Sequence, residues 1–214
     1  MSKKMLKRSL ALGALMAFVI TGSAMAAEIA PITKTKTGTG TLTISGEAGL
    51  GNAICASGDI VTVDGYSDIK LVGTWPSGGN DRNIFYVEKN GTLNIGSVSK
   101  PINIIDTSNF DFTSIVFHAH KGIMNVNADK IHIENFANGV YVQDKALVDI
   151  KANEINLKTE GEWSVLGVGS YSGDEGVSKL NINTGSLIIN ASNGIGVSVS
   201  EGNYGDIVGK DVKI

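Results

Sequence analysis

Short runs of alternating apolar and polar residues recur along this chain, and this repeat limits its fold more than any other feature. Runs in which every second residue is Ile, Val or Leu predict strands with one buried face. They come in groups of three, and equivalent positions lie 31 or 32 residues apart, with one shorter interval of 24 residues. A period of about 20–50 residues predicts a solenoid. The last apolar residues of the first runs are Val63, Ile95, Val126, Ile150, Ile182 and Ile214.

Two all-β architectures could hold these strands. In a parallel β-helix each group forms one coil, and equivalent strands stack about 4.8 Å apart in three parallel sheets. In an antiparallel sandwich the strands would be joined by hairpins, for which Asn90-Gly91, Asn138-Gly139 and Asn193-Gly194 are suitable turns. The last two pairs precede the third strand of their groups, which favours a repeated bend with left-handed backbone. We therefore predict a parallel β-helix of about five to six three-strand coils, the last one beginning at 212–214.

The first 26 residues have the three parts of a secretory signal. Four basic residues precede an apolar run at 10–20, and Ala24-Met25-Ala26 is a small-x-small cleavage site. We expect cleavage before Ala27 and export from the cytoplasm. The chain then divides into a signal peptide at 1–26, an irregular N-terminal segment or cap at 27–58, and a β-helix at 59–214.

The net charge of the chain limits the kinds of molecule that it could bind. The whole sequence has 18 basic and 21 acidic side chains, and without the four basic residues of the signal the net charge falls from −3 to −7. Nucleic-acid binding needs a basic face, so we expect no nucleic-acid partner. No later apolar run approaches the roughly 20 residues that cross a bilayer, so we expect no membrane-spanning segment after signal removal.

Few residues are candidates for a disulfide, a metal site or catalysis. Cys55 is the only cysteine, so an intramolecular disulfide is excluded, and the thiol is either buried or pairs with another chain. His118 and His120 lie on one face of a predicted strand, where a zinc ion could use them with one more ligand. A polar outer row of the solenoid is the simpler interpretation. We expect no catalytic residue, metal or cofactor.

The bend between the second and third strands, which we call the second-to-third corner, varies most in length. It is longest at 72–83 and shortest at 134–139. Insertions at one corner of a solenoid project from one edge, which is often the binding face. Exposed aromatic rings suit contacts with sugars or proteins, although the rings could instead pack beneath their own loops. The predicted binding residues are Trp75, Arg82, Phe110, Phe112 and Trp163, with Phe136 on the same edge.

Gly- and Asn-rich repeats such as Gly91-Thr92-Leu93-Asn94-Ile95 and 179–185, following this type of signal, resemble the passenger region of Gram-negative type V autotransporters. The resemblance implies a right-handed, pertactin-type parallel β-helix at the cell surface or outside the cell, and many such passengers are adhesins. The family also has a C-terminal β-barrel translocator in the outer membrane. The 214 residues leave no room for this barrel, so we expect a fragment, a truncated gene product or a protein secreted by another route, without that partner in the same chain.

Three functions follow as expectations. The first is a non-enzymatic adhesin whose partner is a host-surface glycan or protein. The second is a polysaccharide-active lyase or glycoside hydrolase, for which paired carboxylates would be needed. The third is a structural spacer. The candidate acidic pairs are Asp64/Asp68, Asp106/Asp111, Glu160/Glu162 and Asp174/Glu175, and most lie in bends, which favours the non-enzymatic interpretation.

Overall fold

The computed structural model describes residues 31–46, 52–75, 83–106, 109–110, 114–169 and 176–214. The predicted signal peptide lies outside these residues. Eighteen strands, β1 to β18 in chain order, form the described part of the chain, which contains no α-helix. The pairing between these strands is parallel throughout, so the predicted parallel β-helix is confirmed, whereas its right-handed sense stays a prediction.

Each coil has three faces. The first face contains β1 (Lys36–Thr37), β4 (Ile60–Asp64) and β8 (Thr92–Ile95). The second contains β2 (Thr41–Ser45), β5 (Asp68–Val72) and β9 (Ile102–Asp106). Four longer strands cover both faces: β12 (Ile123–Glu134), β14 (Leu147–Thr159), β16 (Lys179–Ala191) and β18 (Tyr204–Lys213). The third face contains β3 (Asn52–Ser57), β7 (Asn83–Glu88), β11 (Ile115–His120), β13 (Asn138–Gln143), β15 (Ser164–Gly169) and β17 (Ile195–Val199).

The strand register confirms most of the predicted period. Val63 pairs with Ile95, and the same column continues through Val126, Ile150 and Ile182. These side chains stack coil upon coil in the core.

The last predicted position is wrong. Ile182 pairs with Ile207 rather than with Ile214, and Val212 belongs to the second face, where it pairs with Leu187. The alternation is hidden because the inward neighbours of Ile207 are Gly205 and Gly209, which contribute no apolar side chain to the pattern.

The solenoid begins earlier than the sequence predicts. Strands β1, β2 and β3 pair in register with β4, β5 and β7, and they make a full coil within the segment predicted as an irregular cap. Before it, Ile32 forms a parallel bridge with Ile54 on the third face. The described residues therefore make six coils, followed by β18.

The core is a set of apolar columns. Phe85 and Phe117 are fully buried neighbours whose rings stack 4.9 Å apart, with Ile54 below them and Val140 above. Burying one such side chain contributes about 1.5–3 kcal/mol. Because each coil buries its apolar residues against its neighbours, the coils depend on one another for stability.

Left-handed residues occupy the corner between the third strand and the next first strand. Asn90, Lys121 and Lys145 have φ values of 62°, 55° and 70°, each two residues before the first-face strand, and Gly58 and Gly202 take the same place in other coils. The prediction of left-handed backbone at Asn138-Gly139 and Asn193-Gly194 is wrong, because none of these residues has a positive φ.

Gly139 is required for close packing instead. A Cβ atom there would lie 3.0 Å from the carbonyl oxygen of Val165 in the next coil. Glycine at this corner therefore lets adjacent coils approach, while the change of chain direction occurs at Asn135, whose φ is 58°.

Candidate functional site

The second-to-third corner carries a small additional sheet. Strands β6 (Thr74–Trp75) and β10 (Asn109–Phe110) leave two successive coils and pair with each other in parallel, with Trp75 opposite Phe110. The fold thus brings together the backbones of two predicted binding residues from separate loops. Arg82 and Phe112, the other predicted residues of these loops, lie outside the described residues.

The two remaining aromatic residues of the corner have opposite environments. Trp163 lies in the turn before β15, and 64% of its surface is exposed. Phe136 is fully buried in the core, so its predicted place on the binding edge is wrong. Its corner has only a few residues between β12 and β13, too few to form a projecting loop, and the ring turns inward.

The outer side of the third face holds a polar cluster that the sequence indicated only through its histidines. His118 lies between Tyr86 and Tyr141 in register, with ring centroids 5.1 and 5.6 Å away. Although it points outward, only 9% of His118 is exposed. The two tyrosine rings and the hydrogen-bond partners of His118 together shield its imidazole from solvent.

A chain of hydrogen bonds through His118 spans four coils. His118 Nδ1 lies 2.8 Å from Asn83 Oδ1, which can only accept, so Nδ1 carries the proton. Asn83 in turn donates to Asn52 Oδ1 at 2.9 Å. On the other side, the Gln143 amide lies 2.9 Å from His118 Nε2 and donates to it. Both ring nitrogens are therefore used within the protein.

Burial sets the protonation state of His118. Desolvation, reinforced by the nearby His120 and opposed by Asp144, lowers the pKa of His118 to about 4. The imidazole is therefore neutral at pH 7. A neutral ring with both nitrogens occupied contributes to the packing of the third face and does not offer a free lone pair to a metal.

His120 lies beside this chain and contacts a buried carboxylate. Its Nε2 is 3.1 Å from Asp144 Oδ2, and the Asp144 side chain is 2% exposed. His120 and the outward His118 lie on the same side of β11, as the sequence predicts. Within the described residues, no group of three or more His, Cys, Asp or Glu side chains is placed to hold a metal ion.

Glu88 and Cys55 complete the cluster. Burial raises the pKa of Glu88, but the Ser57 hydroxyl 2.8 Å away and the Lys89 ammonium 3.0 Å away outweigh it, so the pKa lies below its ordinary value. Burial, helped by the Glu88 charge, raises the pKa of the half-buried Cys55 thiol. A thiol with a raised pKa is a poor nucleophile at neutral pH.

The outer side of the first face carries a ladder of amides and carboxylates. Asn125 donates to Asn94 Oδ1 at 2.8 Å, and Asn94 donates to Thr62 Oγ1 at 3.3 Å. The same column continues through Asp149 and Asn181 in the next coils. The alternation along these strands predicts polar residues that face outward, but not the hydrogen bonds that join Asn125, Asn94 and Thr62 from coil to coil.

Comparisons with known proteins return no relative. No protein-family model, no curated protein and no solved structure matches the chain. The parallel β-helix rests on the strand pairing, and the autotransporter resemblance stays a prediction. In the described part of the chain, no helix is long and apolar enough to cross a membrane.

Proposed function

We propose that this chain is an exported, non-enzymatic surface protein that binds a host-surface glycan or protein through its second-to-third corner. The observation that carries the proposal is the backbone pairing of β6 with β10, which places Trp75 opposite Phe110 on the corner where the Trp163 side chain is exposed. Loops held by a rigid scaffold are common binding sites. Tryptophan and other aromatic residues are enriched among the residues that dominate binding energy.

The corner is tested with the double variant Trp75→Ala, Trp163→Ala in the full exported chain. Binding to cultured epithelial cells and to immobilised cell-surface glycans should fall at least about tenfold, because aromatic anchors often contribute 2 kcal/mol or more. Ile60→Ala is the matched control, since Ile60 is 70% exposed on the first face, away from this corner. Equal loss in the control, or undiminished binding by the double variant, would rule out the corner as the binding edge.

The absence of catalysis is tested separately. The purified chain is incubated with acidic and neutral polysaccharides, with and without Ca²⁺, and the appearance of unsaturated or new reducing ends is followed. We expect neither product. Turnover that is lost in His120→Asn, with the fold retained, would replace the proposed adhesin with a polysaccharide-active enzyme.

Export is proposed from the signal sequence and the autotransporter resemblance. When the full chain is expressed in a Gram-negative host, N-terminal sequencing of the exported protein should begin at Ala27. Replacing Ala24 and Ala26 by Arg should leave the precursor uncleaved, because the cleavage site needs small residues. Retention of the wild-type protein in the cytoplasm with Met1 in place would contradict export.

A further inference from the structure

A polar groove runs beside the first face, on different elements from the proposed binding corner. It has a volume of about 270 Å³ and spans three successive coils. Its floor combines amides with one opposite-charge pair and the backbone of Val126, and its other lining residues are Asn94, Val98, Asn125, Asn127, Asp149 and Lys151.

The wall of the groove is an insertion. Between β8 and β9 the chain makes a turn closed by an antiparallel bridge from Ser97 to Lys100, with both backbone hydrogen bonds formed. Val98 lies at this turn with 82% of its surface exposed. In the next coil the same corner is crossed inside the continuous strand β12, so the turn rises above a flat floor.

The floor presents oriented hydrogen-bonding groups. Asn125 uses one amide N–H on Asn94, and Asn127 contacts the Gly96 carbonyl oxygen at 3.5 Å. Within the described part of the chain, the second N–H and the carbonyl oxygen of Asn125 have no protein partner, and they remain for a ligand. Because the ladder holds the amide in place, little further ordering is needed on binding.

The groove contains one positive and one negative side chain, so it has no net charge. Lys151 Nζ lies 3.6 Å from Asp149 Oδ2, and both side chains are partly exposed. One carboxylate beside an ammonium is a poor site for a divalent cation, which prefers several oxygen ligands. One ammonium beside a carboxylate is equally poor for a polyanion.

We propose that this groove binds a neutral carbohydrate chain. Each sugar hydroxyl both donates and accepts a hydrogen bond, which matches a floor of amides, a carboxylate and an ammonium. The exposed Val98 side chain offers an apolar wall to the C–H face of a sugar ring. The site goes beyond the proposed adhesive corner and does not depend on it.

The test is nuclear magnetic resonance titration of the full exported chain with neutral hexasaccharides of glucose, galactose, mannose and N-acetylglucosamine. The side-chain amide signals of Asn94, Asn125 and Asn127 should shift and saturate for at least one sugar, with a dissociation constant on the order of a millimolar because the groove is open to solvent. Absence of saturable shifts at these amides with all four sugars would overturn the proposal.

Two variants localise the effect. Asn127→Ala combined with Lys151→Ala should weaken binding at least about fivefold. Asn156→Ala, an outward asparagine on the second face of the same strand as Lys151, should leave it unchanged. Equal weakening by both variants would contradict the groove, as would binding confined to a hexauronate and abolished by salt. Trp75→Ala with Trp163→Ala should not alter this titration, which keeps the groove separate from the corner.

Discussion

A buried imidazole on an outward-facing strand position is the most informative single residue of the molecule. The sequence places His118 in a row of polar side chains, and alternation along β11 correctly predicts its direction. It does not predict burial, because enclosure depends on Tyr86 and Tyr141, which lie 32 and 23 residues away along the chain. The direction in which a side chain points is set locally by the strand, whereas its exposure to solvent depends on the side chains of the neighbouring coils.

The low pKa of His118 predicts acid sensitivity. A histidine with pKa 6.5 when unfolded and about 4 when folded takes up its proton more readily in the unfolded state. The stabilisation is therefore complete above about pH 6.5 and is lost progressively as the pH falls towards 4, by about 3 kcal/mol. Urea unfolding of the wild type and of His118→Gln at about pH 7 and about pH 4 measures this loss. An equal acid loss in the variant would contradict it.

Phe117 tests the core at the same scale. Its ring is 1% exposed and stacks on Phe85, so Phe117→Ala should lower the free energy of unfolding by about 3–5 kcal/mol. The matched control is Ile60→Ala, at an exposed position of the first face, where the free energy of unfolding should change by less than about 0.5 kcal/mol. Urea denaturation distinguishes the two. Equal effects would mean that Phe117 is not packed as described.

The strands were more predictable than the corners that join them. Alternating apolar residues identified the columns through Val63 and Ile95 because inward residues must match from coil to coil. The pattern failed at β18, where glycines occupy the inward places beside Ile207. The prediction that Phe136 lies on the binding edge was wrong because the length of a corner, rather than the residue type, decides whether a ring projects or packs inward. The pairing of β6 with β10 had no sequence signal, since each strand has only two residues.

The backbone conformation at the corners predicts that replacement by glycine has opposite effects on stability at two lysines. Lys145 has a φ of 70°, a left-handed conformation that costs a non-glycine residue roughly 1–2 kcal/mol. Lys145→Gly should therefore raise the free energy of unfolding by about 1 kcal/mol. Lys151→Gly, in the middle of β14, should lower it by about 0.5–1 kcal/mol because glycine is unfavourable in a strand. Urea midpoints measure both changes. The same sign at both positions would contradict the corner geometry.

At the scale of the whole molecule, stability is distributed along the solenoid axis. Strand β14 pairs with β12 on one side and β16 on the other, and its inward residues are buried. Strand β18 pairs with β16 alone among the described elements, and most of its residues are exposed. In a solenoid, coil stability is approximately a sum of nearest-neighbour contacts, so a strand with one neighbour is held less firmly.

This distribution predicts a gradient of amide protection. In hydrogen exchange of the full chain, the paired amides of β14 should exchange only through cooperative unfolding, while those of β18 exchange through local opening at lower free energy. Mass spectrometry of peptides from the two strands makes the comparison within one sample. Equal protection in both strands would show that the solenoid opens as one unit.

The hydrogen-bond chain from Asn52 through Asn83 and His118 to Gln143 has a consequence for how the coils find their order. The apolar columns are nearly interchangeable from coil to coil, so a chain threaded one coil out of step would still bury Ile against Val. This polar series repeats only in part: Asn52 and Asn83 occupy the same register position, whereas His118 and Gln143 occupy different positions in the next two coils. If the next coil took the place of the one that carries Gln143, Gly169 would stand at that position and the enclosed His118 Nε2 would lose its donor, at a cost of about 1–3 kcal/mol. The Gln143–His118 hydrogen bond therefore favours one order of these two coils, which the apolar columns alone do not specify.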